Sequence, residues 1–511
     1  MSAVPSRDHR PGMKRRRYSR LAPDHHTDPA AVRRATAASA LGNATEWYDY
    51  GVYAVATSYI AAHFFEPFEN ARLLTLATFA ISFIARPVGG LVWGPLGDRL
   101  GRKKVLALTI IMMSLATVAI GLMPAYDTIG IWAPIGLVLL RLIQGFSTGG
   151  EYGGAATFMS EYAPDNRRGF FGSFLEFGTL GGFALGTAIM LGLETFTTPE
   201  FMSSWGWRLP FLVAAPLGFI GLYLRTKLDE SPVFEEAQEA PAADGPAQDA
   251  PGLFALIGRH WRAMLVMTGL VTALNIVNYT LLAYMPTYLE QQINLPAQEG
   301  LLIVLVGEVL MMACIPFAGA ASDRFGRKRS WYFSMGGLAL LAVPMFYLMG
   351  QSFILAMVGF AVLGLLYIPQ LATITATFPA MFPTKARFAG FAITYNVATS
   401  LFGGTAAYVN DFAIAETGNL LVPAFYMVLA CVVGLVAVFF MPETAGASLR
   451  GDDVPGSVGS AVAAGSPAER ALELENQPDQ RTMTAEQKAV VVDDVTAAIV
   501  EDGSDPYWRD H

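Results

Sequence analysis

Two carboxylates and two phenols stand three and four residues apart in "GNATEWYDYGVYAV" (42–55): Glu46, Asp49, Tyr50 and Tyr53. In a helix that spacing puts all four on one face. Carboxylates so close repel when both are charged, and a proton held by either relieves the pair. The chemistry this suggests is reversible proton uptake. Asp49 lies a turn further into the apolar run than Glu46, whose simpler role would be to cap the helix at its rim. A cation to match them sits in "RLIQGFSTGGEYGG" (141–154), with Arg141 near the middle of a run and Glu151 ten residues on. Arginine keeps its proton, so it would set a neighbouring carboxylate's charge state and change partners on motion. Arg141 and Glu151 lie about 15 Å apart along a helix axis and cannot pair with each other. Each needs a partner on another helix, and Asp49 or Glu46 is available. Glu176 and Glu308 are further acids inside apolar runs, divided between structural pairing and proton carrying; Glu308 is counted with the coupling set.

A second constellation is aromatic and amide. "NIVNYTLLAYMPTYL" (275–289) puts Asn275, Asn278 and Tyr279 on one side of a helix. With Trp47, Tyr50 and Tyr53 they could line a cavity, although packing is the commoner use of aromatic residues at such spacing. Aromatic faces attract ammonium groups, including quaternary ones that donate no hydrogen bond. A carboxylate on the same molecule could be met by Arg141 or the amides. The ligand this favours is a small zwitterion.

The elements that would hold these residues follow from hydropathy. Of 511 residues 53% are apolar and 15% charged, with mean hydropathy +0.41, against about 25% charge in soluble chains. Runs of about 20 apolar residues span a hydrocarbon core. Twelve are expected, near 44–66, 72–97, 104–122, 131–158, 170–196, 206–226, 260–289, 299–321, 331–349, 352–379, 388–411 and 420–441. The fold class is therefore an all-α membrane protein, and the 50 glycines suit close packing of its helices. The polar segments are a basic tail (1–40), an acidic Ala- and Pro-rich linker (227–258) and an acidic tail (442–511), with one short amphipathic helix expected over 484–501. The six-span stretches 41–226 and 259–441 are the expected bundles. The first span starts too late for a secretory signal, and it is expected to remain as a helix.

Cation placement orients the chain. The loops near 98–104, 167–168, 225–262, 324–329 and 385–387 hold sixteen Lys or Arg residues, and the alternate loops hold only Arg72. The positive-inside rule puts both termini and the cation-rich loops in the cytoplasm; the family resemblance given below implies the plasma membrane of a bacterium as the location. Two of those loops are copies. "DRLGRKK" (98–104) returns as "DRFGRKR" (323–329), and "PDNRRG" (164–169) is echoed by "PTKARFAG" (383–390). Matching positions in two six-helix stretches are the trace of a duplicated bundle. Asp98, Arg99 and Arg102, and again Asp323, Arg324 and Arg327, are expected to form gating loops. In each, an Asp–Arg pair one turn apart would bond the helix ends of the opposing half in one closed state.

These loops and the Arg141 run resemble signatures of the major facilitator superfamily. More narrowly, "GNATEWYDYGVY", "RLIQGFSTGGEYGGAATFMSEYAPDNRRGFFGS", "WGWRLPF" (205–211) and "FPTKARFAG" (382–390) are similar to the metabolite:proton symporter family over roughly 40–445. The resemblance implies twelve helices in two six-helix bundles and import of compatible solutes, namely glycine betaine, proline and ectoine, together with protons and stimulated by high osmolality. It also implies that Asp49, Glu46, Arg141 and Glu151 couple protons and that Asp98 with Arg102 gates. Some osmosensory members end in an antiparallel coiled coil, and this tail shows no sustained heptad. Other members carry dicarboxylates, citrate or shikimate, so proton symport of an organic anion is the alternative.

Several classes are set aside. An anion carrier would favour extra arginines near the cavity, and the spans hold only Arg86 and Arg141, with Arg208 at a mouth. Export uses the same carboxylate chemistry, so direction is not legible from it. No G-x-x-x-x-G-K-[ST] loop occurs, no metal-site spacing surrounds Cys314 or Cys431, and no catalytic constellation appears, so neither enzyme activity nor any cofactor or metal is expected. "KRRR" (14–17) reads as a topology signal and not as a nucleic-acid patch. His63 and His260 read as ordinary interfacial residues. The expected partners are protons, a small zwitterion and the phospholipid bilayer.

Overall fold

The computed structural model describes residues 29–100, 102–149, 151–226, 253–446 and 449. The described residues are helical, without strands, and helix occupies each of the twelve expected ranges. We number the main helices α1 (Pro29–Val55), α2 (Ala71–Leu100), α3 (Arg102–Leu122), α4 (Trp132–Thr148), α5 (Arg168–Phe196), α6 (Leu209–Thr226), α7 (Leu253–Asn278), α8 (Ala297–Phe325), α9 (Arg327–Met349), α10 (Phe353–Leu371), α11 (Thr384–Ala398) and α12 (Val422–Phe440). Helix α1 continues past a break as Thr57–Phe64, and α4 continues as Glu151–Tyr162. Helix α1 starts inside the stretch read as a tail, because Pro29 suits a first helical turn and "AAVRRATAASAL" is rich in helix formers. Helix α7 likewise starts inside the expected linker. The rest of the linker and both tails, with the expected helix at 484–501, lie outside the described residues.

Eight of the described helices are long and apolar enough to cross a membrane. The expected spans missing from that set are the first, third, fourth and eleventh. Glu46 and Asp49 with a break at Ala56 keep the first from that set, a break near Gly149 shortens the fourth, the eleventh carries Lys385 and Arg387 at its start, and the third is an apolar helix over Ala107–Leu122. Burial is inverted relative to a water-soluble protein. Phe317 is 76% exposed and Leu340 74%, and large apolar side chains stand out on every main helix, while arginines and carboxylates are inside. Against water each such Leu or Phe would forfeit about 1.5–3 kcal/mol of burial; against hydrocarbon it forfeits none.

The duplication is visible in the packing. Helix α1 packs on α5, α2 on α4 and α3 on α6; six helices later α7 packs on α11, α8 on α10 and α9 on α12. The two sets meet through α5 against α8 and α2 against α11, which are the same pairing reversed. The second echo in the sequence has a structural counterpart. Arg168 Nε donates to the carbonyl of Ser160 at 3.1 Å, and Arg387 Nε donates to that of Pro379 at 3.3 Å, each eight residues back. Helix α4 approaches α2 at Gly145 and Gly149, where a Cβ would strike the carbonyl oxygens of Ser82 and Arg86. That closeness brings Arg86 and Arg141 into one core. Cys314 and Cys431 are both free, and Cys431 is buried within α12.

Candidate functional site

Asp49 is the hub of a buried polar cluster. Its Oδ2 meets Arg141 Nη1 at 3.3 Å, and its Oδ1 accepts hydrogen bonds from Thr117 Oγ1 and Gln144 Nε2, each at 2.6 Å. Gln144 also donates to Thr117 and accepts from Arg141 at 2.8 Å, so α1, α3 and α4 are tied through one carboxylate. Arg141 lies flat over Tyr53, its Cζ 3.9 Å from the ring centroid, and its Nε and Nη2 have no hydrogen-bond partner. The face of Tyr53 takes the place of those acceptors. Both charged groups are almost wholly buried. A pair of this kind is held by its own geometry, because removing either partner strands the other charge away from water.

Glu46 takes a different cation. Residues three apart on a helix point about 60° apart, enough to face different neighbours. Glu46 faces α2, where its Oε1 meets Arg86 Nη2 at 3.4 Å, and Arg86 Nε donates to Thr148 at 3.1 Å. The repelling pair expected from the sequence is therefore corrected to two separate ion pairs, each carboxylate with its own arginine. Asp49 and Arg141 belong to the first half alone. They lie inside the packing of α1, α3 and α4, and Asp49 reaches a pocket the size of a single water molecule, shared with Thr45, Glu46, Ser114 and Thr117.

The central aromatic residues do meet between the halves. Trp47 lies 5.5 Å from Tyr50 and 6.2 Å from Tyr279, and Phe83 lies 5.2 Å from Tyr279, centroid to centroid. Tyr279 comes from the second half, at the point where α7 widens into π-helical turns over Tyr279–Tyr284; such turns are frequent at functional sites. Its hydroxyl is buried without a hydrogen-bond partner. Asn275 and Asn278 are tied within the second half, Asn275 donating to Thr399 at 3.0 Å and Asn278 accepting from Tyr367 at 2.8 Å. Tyr53 stands apart, under Arg141, with its hydroxyl on the carbonyl of Thr75 at 2.9 Å. Glu308 is not brought to Asp49; it is buried on α8 beside Thr187 of α5, and neither of its oxygens accepts a hydrogen bond. The side chains of Glu151, Asp98, Arg99 and Arg102 lie outside the described residues.

Both ends of this centre are closed by contacts between the halves. On the side of the basic loops, Asp323 accepts from the backbone N–H groups of Gly169 and Phe170 at the start of α5, each at 2.8 Å, and is braced by Arg327 at 2.5 Å. This is the helix-end bonding expected of the second gating loop. Gly326 makes its turn at φ +103°, ψ 152°, a region open essentially to glycine alone, and Glu443 caps the start of α9 through the N–H groups of Arg327 and Lys328. Arg324 takes no part in the clamp; it is exposed, with its Cζ 5.5 Å from the Phe325 ring centroid. On the opposite side, Arg72 of α2 pairs with Asp411 at 2.8 Å, and Tyr284 and Gln292 donate to the same carboxylate. Ser58 donates to Glu290 at 3.0 Å there. The molecule is thus shut at both faces.

Sequence reasoning missed Asp411, Gln144, Thr117 and the pairing of Arg86. Arg72, the lone cation in its set of loops, was noticed only as a topology signal. Yet a lone charge on that side needs a partner, and Asp411 was the acid in the eleventh expected span. We expect Arg72→Asp to cut uptake several-fold by splitting this latch, and the swapped pair Arg72→Asp with Asp411→Arg to recover it. Initial uptake rates of the two singles and the double check this.

A duplicated helical bundle around a polar centre is the architecture of a major facilitator superfamily transporter. The proton:xylose symporter XylE shares it: a structure of XylE with bound 6-bromo-6-deoxy-D-glucose matches at TM-score 0.67 with 19% identity, covering 82% of this chain and 98% of XylE. The sequence matches the Sugar (and other) transporter family over residues 35–453, and the chain belongs to that family. Relatives include the glycine betaine/proline/ectoine/pipecolic acid transporter OusA of Dickeya dadantii (strain 3937), 41% identical over 86% of this chain and 89% of OusA. The ectoine/proline transporter ProP of Corynebacterium glutamicum is 41% identical over 83% of this chain and 86% of its own length. The protein is a multi-pass membrane transporter.

Proposed function

We propose that this transporter imports zwitterionic compatible solutes, glycine betaine and proline first among them, by symport with protons, and that its two six-helix halves rock about the closed centre. The observation that carries the coupling is the Asp49–Arg141 pair with Gln144 and Thr117. It is a buried carboxylate joining three helices beside a water-sized pocket, next to an arginine with two N–H donors that only an aromatic ring meets. Proton arrival at Asp49 neutralises the carboxylate, which leaves the Arg141 charge without its partner and frees it to move; proton departure restores the ion pair. Glu46, Glu151 and Glu308 are the further proton-handling candidates. Trp47, Tyr50, Tyr53, Asn275, Asn278 and Tyr279 are the candidates for contact with solute. In this reading all twelve helices cross a bacterial plasma membrane with both termini in the cytoplasm, so the basic loops face inward. The relatives' names support the substrate class, and ectoine is its third member.

Charge balance disfavours an organic anion. Arg86 and Arg141 are balanced in net charge by Glu46 and Asp49, so the centre has no excess positive charge to offset a lone anion, whereas a zwitterion brings no net charge. One proton moving with one zwitterion carries one positive charge inward, a gain of about 2.3 kcal/mol per 100 mV. The test is a substrate panel in proteoliposomes under an imposed inward proton gradient, scanned across osmolality. Betaine and proline are expected to accumulate, more so at high osmolality, while a dicarboxylate, citrate and shikimate remain at background. Equal accumulation of a dicarboxylate would overturn the substrate assignment.

A further inference from the structure

A second buried acid has no cation. Glu176 of α5 accepts hydrogen bonds from the hydroxyls of Tyr152 and of Thr179 (2.9 Å), and no lysine or arginine among the described residues pairs with it. Its surroundings are aromatic and come from both halves. Tyr152, in the continuation of α4, stacks on Tyr395 of α11 with centroids 4.6 Å apart and planes at 16°. Phe391 lies 5.5 Å from Tyr395. An isolated carboxylate inside a membrane protein is costly to keep, and a functional partner is the default expectation.

Arg86 stands at the other end. Its contact with Glu46 is long for an ion pair, and its guanidinium lies over Tyr50 (5.1 Å) and Phe83 (4.9 Å), facing the central aromatic cluster. Asn396, next to Tyr395, donates to the Gly149 carbonyl at 2.8 Å, and Gly149 packs against the backbone of Arg86. An arginine and an unpaired carboxylate therefore flank one aromatic seam at the plane where the halves part.

We infer that Arg86 and Glu176 are the two poles of the solute site: Arg86 takes the carboxylate of a zwitterion, and Glu176 takes its ammonium group between the faces of Tyr152 and Tyr395. This rests on the zwitterion reading above. The tyrosine stack fills the cage in the closed molecule, and rocking of the halves separates the rings because one belongs to each half. Quaternary and secondary ammonium groups both suit such a cage, the first through ring faces alone. Glu176 also supplies the repulsive element that excludes an anion, since a second carboxylate would meet it head-on.

Counterflow exchange in proteoliposomes without a proton gradient isolates solute binding from coupling. The probes are glycine betaine and 3,3-dimethylbutanoate, which has the same shape without the positive charge. Glu176→Gln is expected to raise half-saturation for betaine about tenfold or more and to make 3,3-dimethylbutanoate an effective competitor, which it is not for the parent protein. Tyr395→Leu is expected to cause a similar loss, and Tyr395→Phe, which keeps the ring, to recover most of it. The ratio of the two ligands within one variant does not depend on how much of that variant folds. If Glu176→Gln and Tyr395→Leu both leave the ratio and the half-saturation within about twofold of the parent, the two-pole site is wrong while zwitterion transport stands. If the parent itself exchanges no zwitterion, the underlying reading is what fails.

Discussion

Asp49→Asn will abolish concentrative uptake, by about 100-fold or more, while exchange of internal for external solute continues. Asparagine keeps the shape of the side chain and one acceptor oxygen for Thr117 and Gln144, but it carries no exchangeable proton and no charge. The proton gradient then has nothing to act on, whereas solute-driven rocking needs no change at this position. The substitution also strands Arg141, and an unpaired buried charge costs about 3–5 kcal/mol. For that reason the stability-matched variant, Asp49→Asn with Arg141→Gln, is the sharper tool: it restores a neutral cluster, so folding and exchange recover and accumulation does not. Accumulation by the double variant at the parent level would remove Asp49 from coupling.

The second large effect is steric. Gly169 begins α5 where Asp323 grips its backbone, and an added Cβ would collide with Arg327 Nη1, the carbonyl oxygen of Gly319 and Ser322 Oγ. A side chain can swing aside, but the Gly319 carbonyl belongs to α8 and cannot. Gly169→Ala should therefore keep the basic face from closing, leaving the protein open on that side and cutting uptake by about tenfold or more, because the opposite face opens only once this one is sealed. Gly319→Ala presents the reciprocal clash with the Gly169 carbonyl and should behave alike. A cysteine reporter placed beside the seam and titrated with a membrane-impermeant thiol reagent reads the opening directly. Uptake within about twofold of the parent, with unchanged labelling, would show that this contact does not form in the transport cycle.

Much of this was legible in the sequence for definite physical reasons. Hydrocarbon imposes a length and a polarity on each crossing helix, so spans appear in hydropathy, and the duplicated "DRxGR" loops exposed the repeat before any coordinates did. That Arg141 needs a carboxylate on another helix followed from the cost of a lone charge; the choice of Asp49 over Glu46 did not. What periodicity cannot supply is azimuth between helices. Glu46 and Asp49 share a helix face, yet the 60° between them sends one to Arg86 and the other to Arg141. The same limit hid Asp411 as the partner of Arg72, and it hid the stack of Tyr152 on Tyr395, whose members are 243 positions apart in the chain. The breaks near Ala56 and Gly149 and the π-helical turns over Thr399–Gly403 were also invisible, because hydropathy counts apolar residues and not backbone hydrogen bonds. The Asp–Arg pair beside a loop glycine pointed to a hold on a helix end, and Asp323 bonds the start of α5, while the gating role itself rests on the Gly169→Ala result.

The most direct test is whether a proton crosses with the solute. In a weakly buffered suspension of proteoliposomes held at a negative internal potential, adding glycine betaine should make the external medium more alkaline in step with labelled betaine uptake. Both signals should vanish in Asp49→Asn. Betaine entry with no movement of external pH, equally fast with and without an uncoupler, would contradict proton symport.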